Sequence, residues 1–404
     1  MITVAEASKI IQDSVHIFPT ETVPFGEATG RILRESIHAD RDFPPFDRVM
    51  MDGICLRFEQ LEKGQNKFAI EGRQLAGSPP LELTNPEGCL EIMTGAPLAK
   101  GADTVIPFED FDVEEVDGKK YAVIQIAPSK AFKNVHLQGT DKKTGEALLG
   151  NGRKLTSPEI AVVASVGKAT IEVTQKPKIA IVSTGDELVD VHEQPLPHQI
   201  RRSNSYAIQA ALAPLPVESK SFHLTDDKAS LKEKLGEIID NYDAVILSGG
   251  VSKGKADFVP EVLEELGVEK LFHRVAQRPG KPFWFGKNAD GKVVFALPGN
   301  PVSTYMCFYK YFLPWLISSL GLEQPKPLYA ILEQDFNFKP DISFFLQVKV
   351  VSGEYGQLKA IPFAGKGSGD FANLLQADAF LELPQGRSDF HKGDVLKLVP
   401  FREL

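Results

Sequence analysis

The sequence has few of the residues that mark zinc-knuckle and disulfide-rich proteins. Its 404 residues include only three cysteines, which stand far apart at Cys55, Cys89 and Cys307. A zinc knuckle needs closely spaced cysteine ligands, and a disulfide framework needs an even set of cysteines. Neither is therefore predicted, and Cys55 and Cys307 are expected to be core residues.

Long apolar segments and the common catalytic signatures are also missing. The most apolar late stretch, residues 308–320, contains Lys310 and Pro314 and is too short to span a bilayer. The N-terminus lacks a basic segment followed by an apolar one, so no secretory signal is predicted and the cytoplasm is the expected compartment. No GxSxG, Walker or HExxH pattern occurs.

Basic side chains are in the minority. The chain has 45 Lys and Arg against 54 Asp and Glu, which gives a net charge of −9. Proteins that coat nucleic acid or bind anionic membranes need a basic surface, so no nucleic-acid or membrane partner is predicted. Any anionic ligand must instead be held by a local group of cations, a metal ion or backbone amides.

The order of the patterns predicts a multidomain protein of α/β and β parts. Helical spacing from Val4 to Val15 predicts an opening helix, a second helix is predicted over 26–36, and helical periodicity resumes at 157–165. Short β-like runs separated by Pro, Gly and Asn lie between them. The predicted parts are an N-terminal helical domain (1–40 and 150–176), a β-rich insertion (41–149), an α/β domain (177–325) and a C-terminal small β-barrel (326–404).

The α/β prediction depends on three apolar runs, 178–182, 244–247 and 293–297. Strands that are apolar on both faces belong in a parallel sheet covered by helices, so a doubly wound domain is expected. Polar or Gly-rich turns follow all three runs, and the carboxyl edge of such a sheet is where ligands bind. The predicted helices cover 204–212, 228–240, 257–266 and 302–320.

The last part of the chain has no convincing helical pattern. A small closed barrel is predicted there because closure removes exposed strand edges. Its five candidate strands are 328–332, 344–351, 357–361, 379–383 and 395–399.

Two groups of side chains predict an anion site in the α/β domain. Asp186 and Glu187 follow the first strand, Gly249 and Gly250 follow the second, and Asp257 stands near the start of a predicted helix. Carboxylates beside a Gly-rich turn suit Mg²⁺ that arrives with a phosphate, although Asp257 could simply cap its helix. The second group is basic and comprises Lys270, Arg274, Arg278, Lys281, Lys287 and Lys292.

Within the basic group, Arg278 and Lys281 are the predicted anion ligands. Prolines and a glycine between and after them indicate a rigid loop, whereas Lys287 and Lys292 have the pattern of a solvated surface. Asp52, Thr94 and Asp141 are polar residues of predicted turns, and their spacing alone does not mark a site. His136, His223 and His273 lie outside any metal-ligand spacing and are expected to be surface or hydrogen-bonding residues.

An ordered series of motifs resembles the molybdopterin molybdenumtransferase family, which includes MoeA-type enzymes and the enzyme domain of gephyrin. The series covers nearly the whole chain and is specific as a set, although its GG turn alone is common. The motifs are Phe46-Asp47 with Met51-Asp52-Gly53, Ile92 to Pro97, Gly139 to Asp141, Ser183 to Leu188, Ser248 to Ser252, Pro279 to Pro282 and Leu297 to Ser303.

The resemblance implies a molybdopterin-binding α/β domain and a reaction. Family members insert molybdate into the dithiolene of adenylylated molybdopterin and release AMP, assisted by Mg²⁺. It also implies an elongated homodimer whose active site is shared between subunits. The adenylyltransferase that makes the substrate and the apoproteins that receive the cofactor are the further partners it suggests.

By motif position the resemblance also implies roles for particular residues. The catalytic set is Asp52, Thr94, Asp141, Glu187, Asp226 and Asp257, of which Glu187, Asp226 and Asp257 would hold the metal. Asp52, Thr94 and Asp141 would line the facing wall of the site. The implied substrate-binding residues are Ser183, Thr184, Gly185, Asp186, Ser248, Gly249, Gly250, Ser252, Arg274, Arg278, Lys281, Pro298, Gly299, Asn300, Pro301 and Ser368.

The chain departs from the family pattern at several positions, and these leave alternatives. Arg48-Val49 stands where an Asn-Ser pair is common, His136-Leu137-Gln138 where arginines are usual, and an arginine expected near Ser343 is missing. Arg274 and Arg278 replace lysines, so charge is kept but geometry changes. The alternative functions are a molybdopterin adenylyltransferase, whose family shares the α/β domain, and a non-catalytic pterin-binding paralogue.

Overall fold

The computed structural model describes residues 1–404 except 252–257, 364–366, 368 and 370. Contacts divide the chain into two compact units. The first unit comprises Met1–Arg34, Gly152–Thr156 and Thr170–Leu404, and the second comprises Glu35–Asn151 and Ser157–Ala169. The predicted helical domain, 1–40 with 150–176, is divided between these units, and the finer four-part division of the chain stays a prediction.

The first unit opens with the predicted helix, Val4–Asp13, which begins with a capping box between Thr3 and Glu6. The helix predicted over 26–36 is wrong. Only a short 3₁₀ turn, Phe25–Glu27, forms there, and the chain then runs extended. Its main chain pairs elsewhere in the unit: the Leu33 N–H donates to Arg153 O at 2.9 Å. Tertiary pairing of the backbone has overridden the helical spacing of the apolar residues.

A six-stranded sheet forms the centre of the first unit. In spatial order its strands are Glu218–Leu224, Lys178–Thr184, Ala244–Ser248, Val293–Leu297, Trp284–Lys287 and Glu269–His273. The first four are parallel, which confirms the α/β prediction for the three apolar runs. The last two strands form an antiparallel edge that the sequence patterns did not predict.

Helices cover both faces of this sheet. Asn204–Leu212, Lys228–Asn241, Val259–Glu265 and Pro301–Cys307 lie close to the predicted positions. Successive residues of the first apolar strand join different cores, with Ile179 and Ile181 in one and Ala180 and Val182 in the other. The predicted 302–320 helix is interrupted by a π-helix, Phe308–Phe312, before the final helical segment, Leu313–Ser319.

The predicted C-terminal barrel is confirmed. Its five strands are Leu328–Leu332, Ser343–Ser352, Leu358–Pro362, Ala379–Leu383 and Val395–Pro400. The barrel closes because Ser343–Ser352 pairs with both Leu358–Pro362 and Ala379–Leu383. A two-residue strand, Gln277–Arg278, joins the start of Ser343–Ser352 in parallel.

The second unit is built on a separate six-stranded sheet and is β-rich as predicted. Its strands are, in spatial order, Thr104–Pro107, Gly53–Leu56, Gly88–Ile92, Lys67–Gln74, Lys119–Ile124 and Phe111–Val116. Helices Phe58–Glu62 and Ser157–Ser165 also belong to this unit. Across the described parts of both units, no helix combines the length and apolar character that crossing a membrane requires.

Candidate active site

The ends of three parallel strands line one cavity of about 520 Å³ in the first unit. Their register places Ser183 beside Ser248, and Ser248 beside Leu297, so the turns that follow meet at one edge of the sheet. Predicted site residues that line the cavity are Ser183, Thr184, Gly185, Glu187, Asp226, Ser248, Gly249, Gly250, Pro298, Gly299, Asn300 and Pro301. Ser252 and Asp257 lie outside the described residues.

The glycine turn after the second strand brings the backbone close to Thr184. Gly249 and Gly250 have φ of +104° and +68°. A Cβ at Gly250 would lie 2.6 Å from Val259 Cγ2 and 2.9 Å from Thr184 Oγ1, so a side chain would not fit. The Thr184 hydroxyl is buried and has no hydrogen-bond partner in the described structure. This edge of the sheet therefore combines close backbone approach with an unsatisfied hydroxyl.

Two carboxylates line the same cavity. Glu187 follows the first strand and Asp226 follows the edge strand Glu218–Leu224. Asp186 does not line the cavity but accepts from the Asp226 N–H at 3.2 Å, which joins the two turns. Among the described residues no three His, Cys, Asp or Glu side chains form a metal-binding group. Two carboxylates fit Mg²⁺, which is commonly held by one or two carboxylates and the phosphates of a substrate.

The sequence motifs missed a polar segment that lines this cavity, Arg201, Arg202, Ser203 and Asn204. The Asn204 amide donates to Ser248 Oγ at 2.8 Å and to Gly299 O at 2.8 Å. It thereby connects the turns after the second and third strands. The sequence did offer a sign of its position, because Asn204 stands at the start of the predicted helix 204–212.

A fixed positive charge stands at this cavity. Arg202 forms an ion pair with Asp190, and the Tyr206 hydroxyl donates to the same carboxylate at 2.6 Å. The Tyr206 hydrogen bond holds the pKa of Asp190 below its ordinary value. Because Asp190 stays ionised, Arg202 is held in place at the cavity wall.

Two of the predicted cations, Arg278 and Lys281, line an adjoining cavity of about 330 Å³. We call residues 278–282 the cation loop. Arg278 and Lys281 of this loop are exposed, and neither forms an ion pair with any residue that the structure describes. Pro282, Pro298 and Asn300 line both cavities. The arrangement places two exposed cations next to the carboxylate-containing cavity.

The other predicted cations are placed differently. Arg274 lines neither cavity, and its N–H donates to Phe283 O at 2.8 Å. Lys270 pairs with Glu264 at 2.6 Å. Lys292 donates to Ile239 O at 3.0 Å, at the end of a helix, so it is not simply a solvated lysine. Ser368 lies outside the described residues.

Asp52, Thr94 and Asp141 all belong to the second unit. The Thr94 N–H donates to Asp52 Oδ1 at 2.6 Å, and this bond lowers the pKa of the Asp52 carboxyl. Asp141 instead contacts His136, whose Nε2 lies 2.9 Å from Asp141 Oδ1. Arg48 Nη2 lies 3.1 Å from the other ring nitrogen of His136, so a cation does stand beside that loop.

The fold and the cavity together define a class of protein, the α/β proteins that bind an anionic ligand at a sheet edge. A doubly wound α/β domain binds ligands at the carboxyl edge of its sheet, and here that edge carries carboxylates, a close-approach turn and neighbouring cations. This combination suits a phosphorylated, strongly anionic ligand.

Comparison with known proteins places the chain in a family. Three family models match successive parts of it: "MoeA N-terminal region (domain I and II)" at residues 2–167, "Probable molybdopterin binding domain" at 180–318, and "MoeA C-terminal region (domain IV)" at 329–401. The chain is 41% identical over 396 residues to a molybdopterin molybdenumtransferase of Synechocystis sp., with 98% of each chain covered. It is 31% identical over 409 residues to that of Haemophilus influenzae, with 100% of each covered.

A solved structure supports the same family. The molybdopterin biosynthesis moea protein from Pyrococcus horikosii is 32% identical, with a TM-score of 0.85 and 100% of each chain covered. The chain belongs to the molybdopterin molybdenumtransferase family and is a transferase of molybdenum cofactor biosynthesis.

Proposed function

We propose that the enzyme inserts molybdate into the dithiolene of adenylylated molybdopterin and releases AMP, with Mg²⁺ assisting. The observation that carries this proposal is the pair of adjoining cavities, which share Pro298 and Asn300. One contains carboxylates and backbone turns, and the other contains Arg278 and Lys281. Two anionic substrates can therefore be bound side by side.

The first cavity is the proposed site for the phosphate-linked part of the substrate. Asn204 and the turn at Gly249 and Gly250 would shape the pocket around it. Glu187 and Asp226 would hold Mg²⁺, together with Asp257, which lies outside the described residues. The ion would supply positive charge to the phosphates, as metal ions do in phosphoryl chemistry.

The cation loop is the proposed site for molybdate. Molybdate and the substrate phosphates repel one another, so bringing them together costs energy. Arg278 and Lys281 oppose that repulsion with charges that are already in position. The sulfurs of the substrate itself ligate molybdenum, so the proposal requires no protein nucleophile.

Reconstitution tests this function directly. The purified protein is incubated with adenylylated molybdopterin, molybdate and Mg²⁺, and AMP release and active cofactor are measured. We expect Glu187→Gln to abolish AMP release, while Glu233→Gln, a surface change on the helix Lys228–Asn241, leaves it unchanged. A wild-type protein that releases no AMP and forms no cofactor contradicts the proposal.

We further propose that the enzyme works as a homodimer whose active site uses residues of two subunits. Support comes from Asp52 and Thr94, which are exposed and hydrogen-bonded to one another in the second unit. Asp52→Ala and Glu187→Gln variants should each be inactive. Random mixing of subunits should then restore about a quarter of wild-type activity, because half the dimers gain one intact site. If each site were built from a single subunit, every site in the mixture would still contain one of the two changes. Mixed subunits that show no activity would therefore reject a shared site.

A further inference from the structure

The cation loop contacts the buried side-chain amide of Gln277. Gln277 is 0% exposed, whereas Arg278 and Lys281 are exposed. Gln277 Nε2 donates to Gly280 O, in the middle of the loop, at 3.0 Å and lies 3.6 Å from Cys307 Sγ. Its Oε1 accepts from the Tyr311 hydroxyl. Both polar atoms of the amide are therefore used inside the core.

The contact between the amide and the loop leaves no spare room. Gly280 has a φ of +88°, and a Cβ there would lie 2.6 Å from Cys307 Sγ and 2.9 Å from Gln277 Nε2. The loop can therefore approach the amide only with glycine at this position. Since Arg278 and Lys281 lie two residues and one residue from Gly280, the position of this contact sets where both cations emerge.

The π-helix places Tyr311 against the amide. Phe308–Phe312 interrupts the α-helical path between Pro301–Cys307 and Leu313–Ser319. Such interruptions are rare and frequently occur at functional sites. Tyr311 is 1% exposed, and burial raises its pKa well above the ordinary value, so its hydroxyl keeps the proton that it donates to Gln277.

The backbone of Gln277 is held as well. Gln277–Arg278 pairs in parallel with the barrel strand at Ser343 and Phe344. The same barrel strand supplies Phe344 to Gln347 of the cavity wall. This pairing therefore fixes the start of the loop to the barrel strand that lines the same cavity.

We infer that Gln277 and Tyr311 are positioning residues that set the spacing of Arg278 and Lys281 and hence the affinity for a tetrahedral oxyanion. With molybdate as that oxyanion, the inference rests on the proposed function. Cations held in place bind an anion without paying for their own ordering, whereas a loosened loop must be reordered by each anion that binds.

Two variants test this inference. Gln277→Met keeps the approximate side-chain volume and removes both hydrogen bonds, and Tyr311→Phe removes one hydroxyl and keeps the ring. The dissociation constant for molybdate is measured by calorimetry, and KM for molybdate and kcat are measured in the AMP-release assay. We expect both constants for molybdate to rise about 3- to 30-fold, with kcat at saturating molybdate unchanged.

The matched control is Gln74→Met. Gln74 is also 0% exposed, and its amide bonds four backbone groups of the second unit, including the Leu81 N–H at 2.6 Å. We expect this variant to lose stability as Gln277→Met does but to bind molybdate like the wild type. The Gln277→Met/Tyr311→Phe double variant should bind molybdate no more weakly than Gln277→Met, because the two changes remove one shared contact.

The outcomes separate the inference from the function beneath it. A wild type that neither binds molybdate nor releases AMP rejects the proposed function and, with it, this inference. An active wild type whose Gln277→Met and Tyr311→Phe variants are less stable but bind molybdate normally rejects only the inference. If Gln277→Met does not fold, Tyr311→Phe alone decides the matter through its molybdate affinity.

Discussion

Asn204 donates to the carbonyl oxygen of Gly299 across 2.8 Å, although 95 residues separate them in the chain. The same amide reaches Ser248 Oγ at 2.8 Å and Thr304 Oγ1 at 3.2 Å. One side chain therefore connects the start of a helix with the turns after two neighbouring strands. These turns line the cavity of about 520 Å³ that is proposed to bind the phosphate-linked part of the substrate. The shape of this cavity therefore depends on a contact between residues that are distant in sequence.

Removing this connection is expected to weaken nucleotide binding. Asn204→Ala leaves Gly299 O and Ser248 Oγ without this donor, and the turn after Leu297 loses its tie to the helix. We expect the dissociation constant for AMP to rise about tenfold, which corresponds to the typical contribution of one hydrogen bond. Calorimetric titration measures it. Asn241→Ala, which removes a donor at an exposed helix end, should bind AMP as the wild type does.

A methyl group at Gly250 should destabilise the protein by both strain and collision. Gly250→Ala places a Cβ 2.6 Å from Val259 Cγ2 at a φ of +68°. We expect a loss of about 2–4 kcal/mol in the free energy of unfolding. Gly267→Ala has a similar φ of +76° but nothing within 4 Å, so it isolates the strain alone. Urea unfolding of both variants measures the difference, and equal losses would contradict the collision.

The buried hydroxyl of Thr184 should lower the free energy of unfolding and raise the affinity for AMP. Thr184→Val replaces a hydroxyl that has no hydrogen-bond partner among the described residues with a methyl group of similar size. We expect the free energy of unfolding to rise by about 1 kcal/mol, because a buried polar group without a partner is lost. The affinity for AMP should fall at the same time. A less stable variant would show that the hydroxyl has a partner within the folded protein, and unchanged or tighter AMP binding would show that it does not contact the ligand.

The pH dependence of stability should show the effect of His273. Burial lowers the pKa of this half-buried ring below its ordinary value of 6.5, and its Nε2 lies 3.3 Å from Val251 O. The folded state therefore favours neutral His273. Its contribution to stability is complete above pH 6.5 and is lost as pH falls from there through the lower folded pKa.

A His273→Gln variant tests the sign of this effect. The difference in free energy of unfolding between the wild type and His273→Gln should shrink as the pH is lowered from 7.5 to 5.0. Urea titrations at each pH measure it. A difference that stays constant, or that grows toward acid pH, would contradict a lowered pKa for His273.

Much of the fold follows from local patterns in the sequence. The runs 179–182, 244–247 and 293–297 are apolar at every position, and only a sheet covered on both faces can bury such strands. The barrel strands were predictable for a related reason, since alternating runs without helical spacing must pair with one another. The turns at Gly185, Gly249 and Pro298 could be placed at one sheet edge because parallel strands end together.

The patterns failed where distant partners decide the conformation. Apolar residues at 26–36 have helical spacing, yet their backbone groups pair with residues 153–155 and 170–174, which local spacing cannot reveal. The strand Trp284–Lys287, which pairs with the edge strand Glu269–His273, was missed because the basic residues around it have the composition of a loop.

The sequence by itself determined the residue types available to the site: a carboxylate, Glu187, that suits Mg²⁺, and two cations, Arg278 and Lys281, that suit an anion. Only the tertiary structure decided which of them share a cavity, that Arg274 lines neither cavity, and that Arg202 and Asn204 belong to the site. The physical reason is the separation in sequence between the residues that interact. Composition and spacing express interactions between near neighbours, whereas Asn204 with Gly299 and Gln277 with Tyr311 meet only after the sheet, the helices and the barrel have packed.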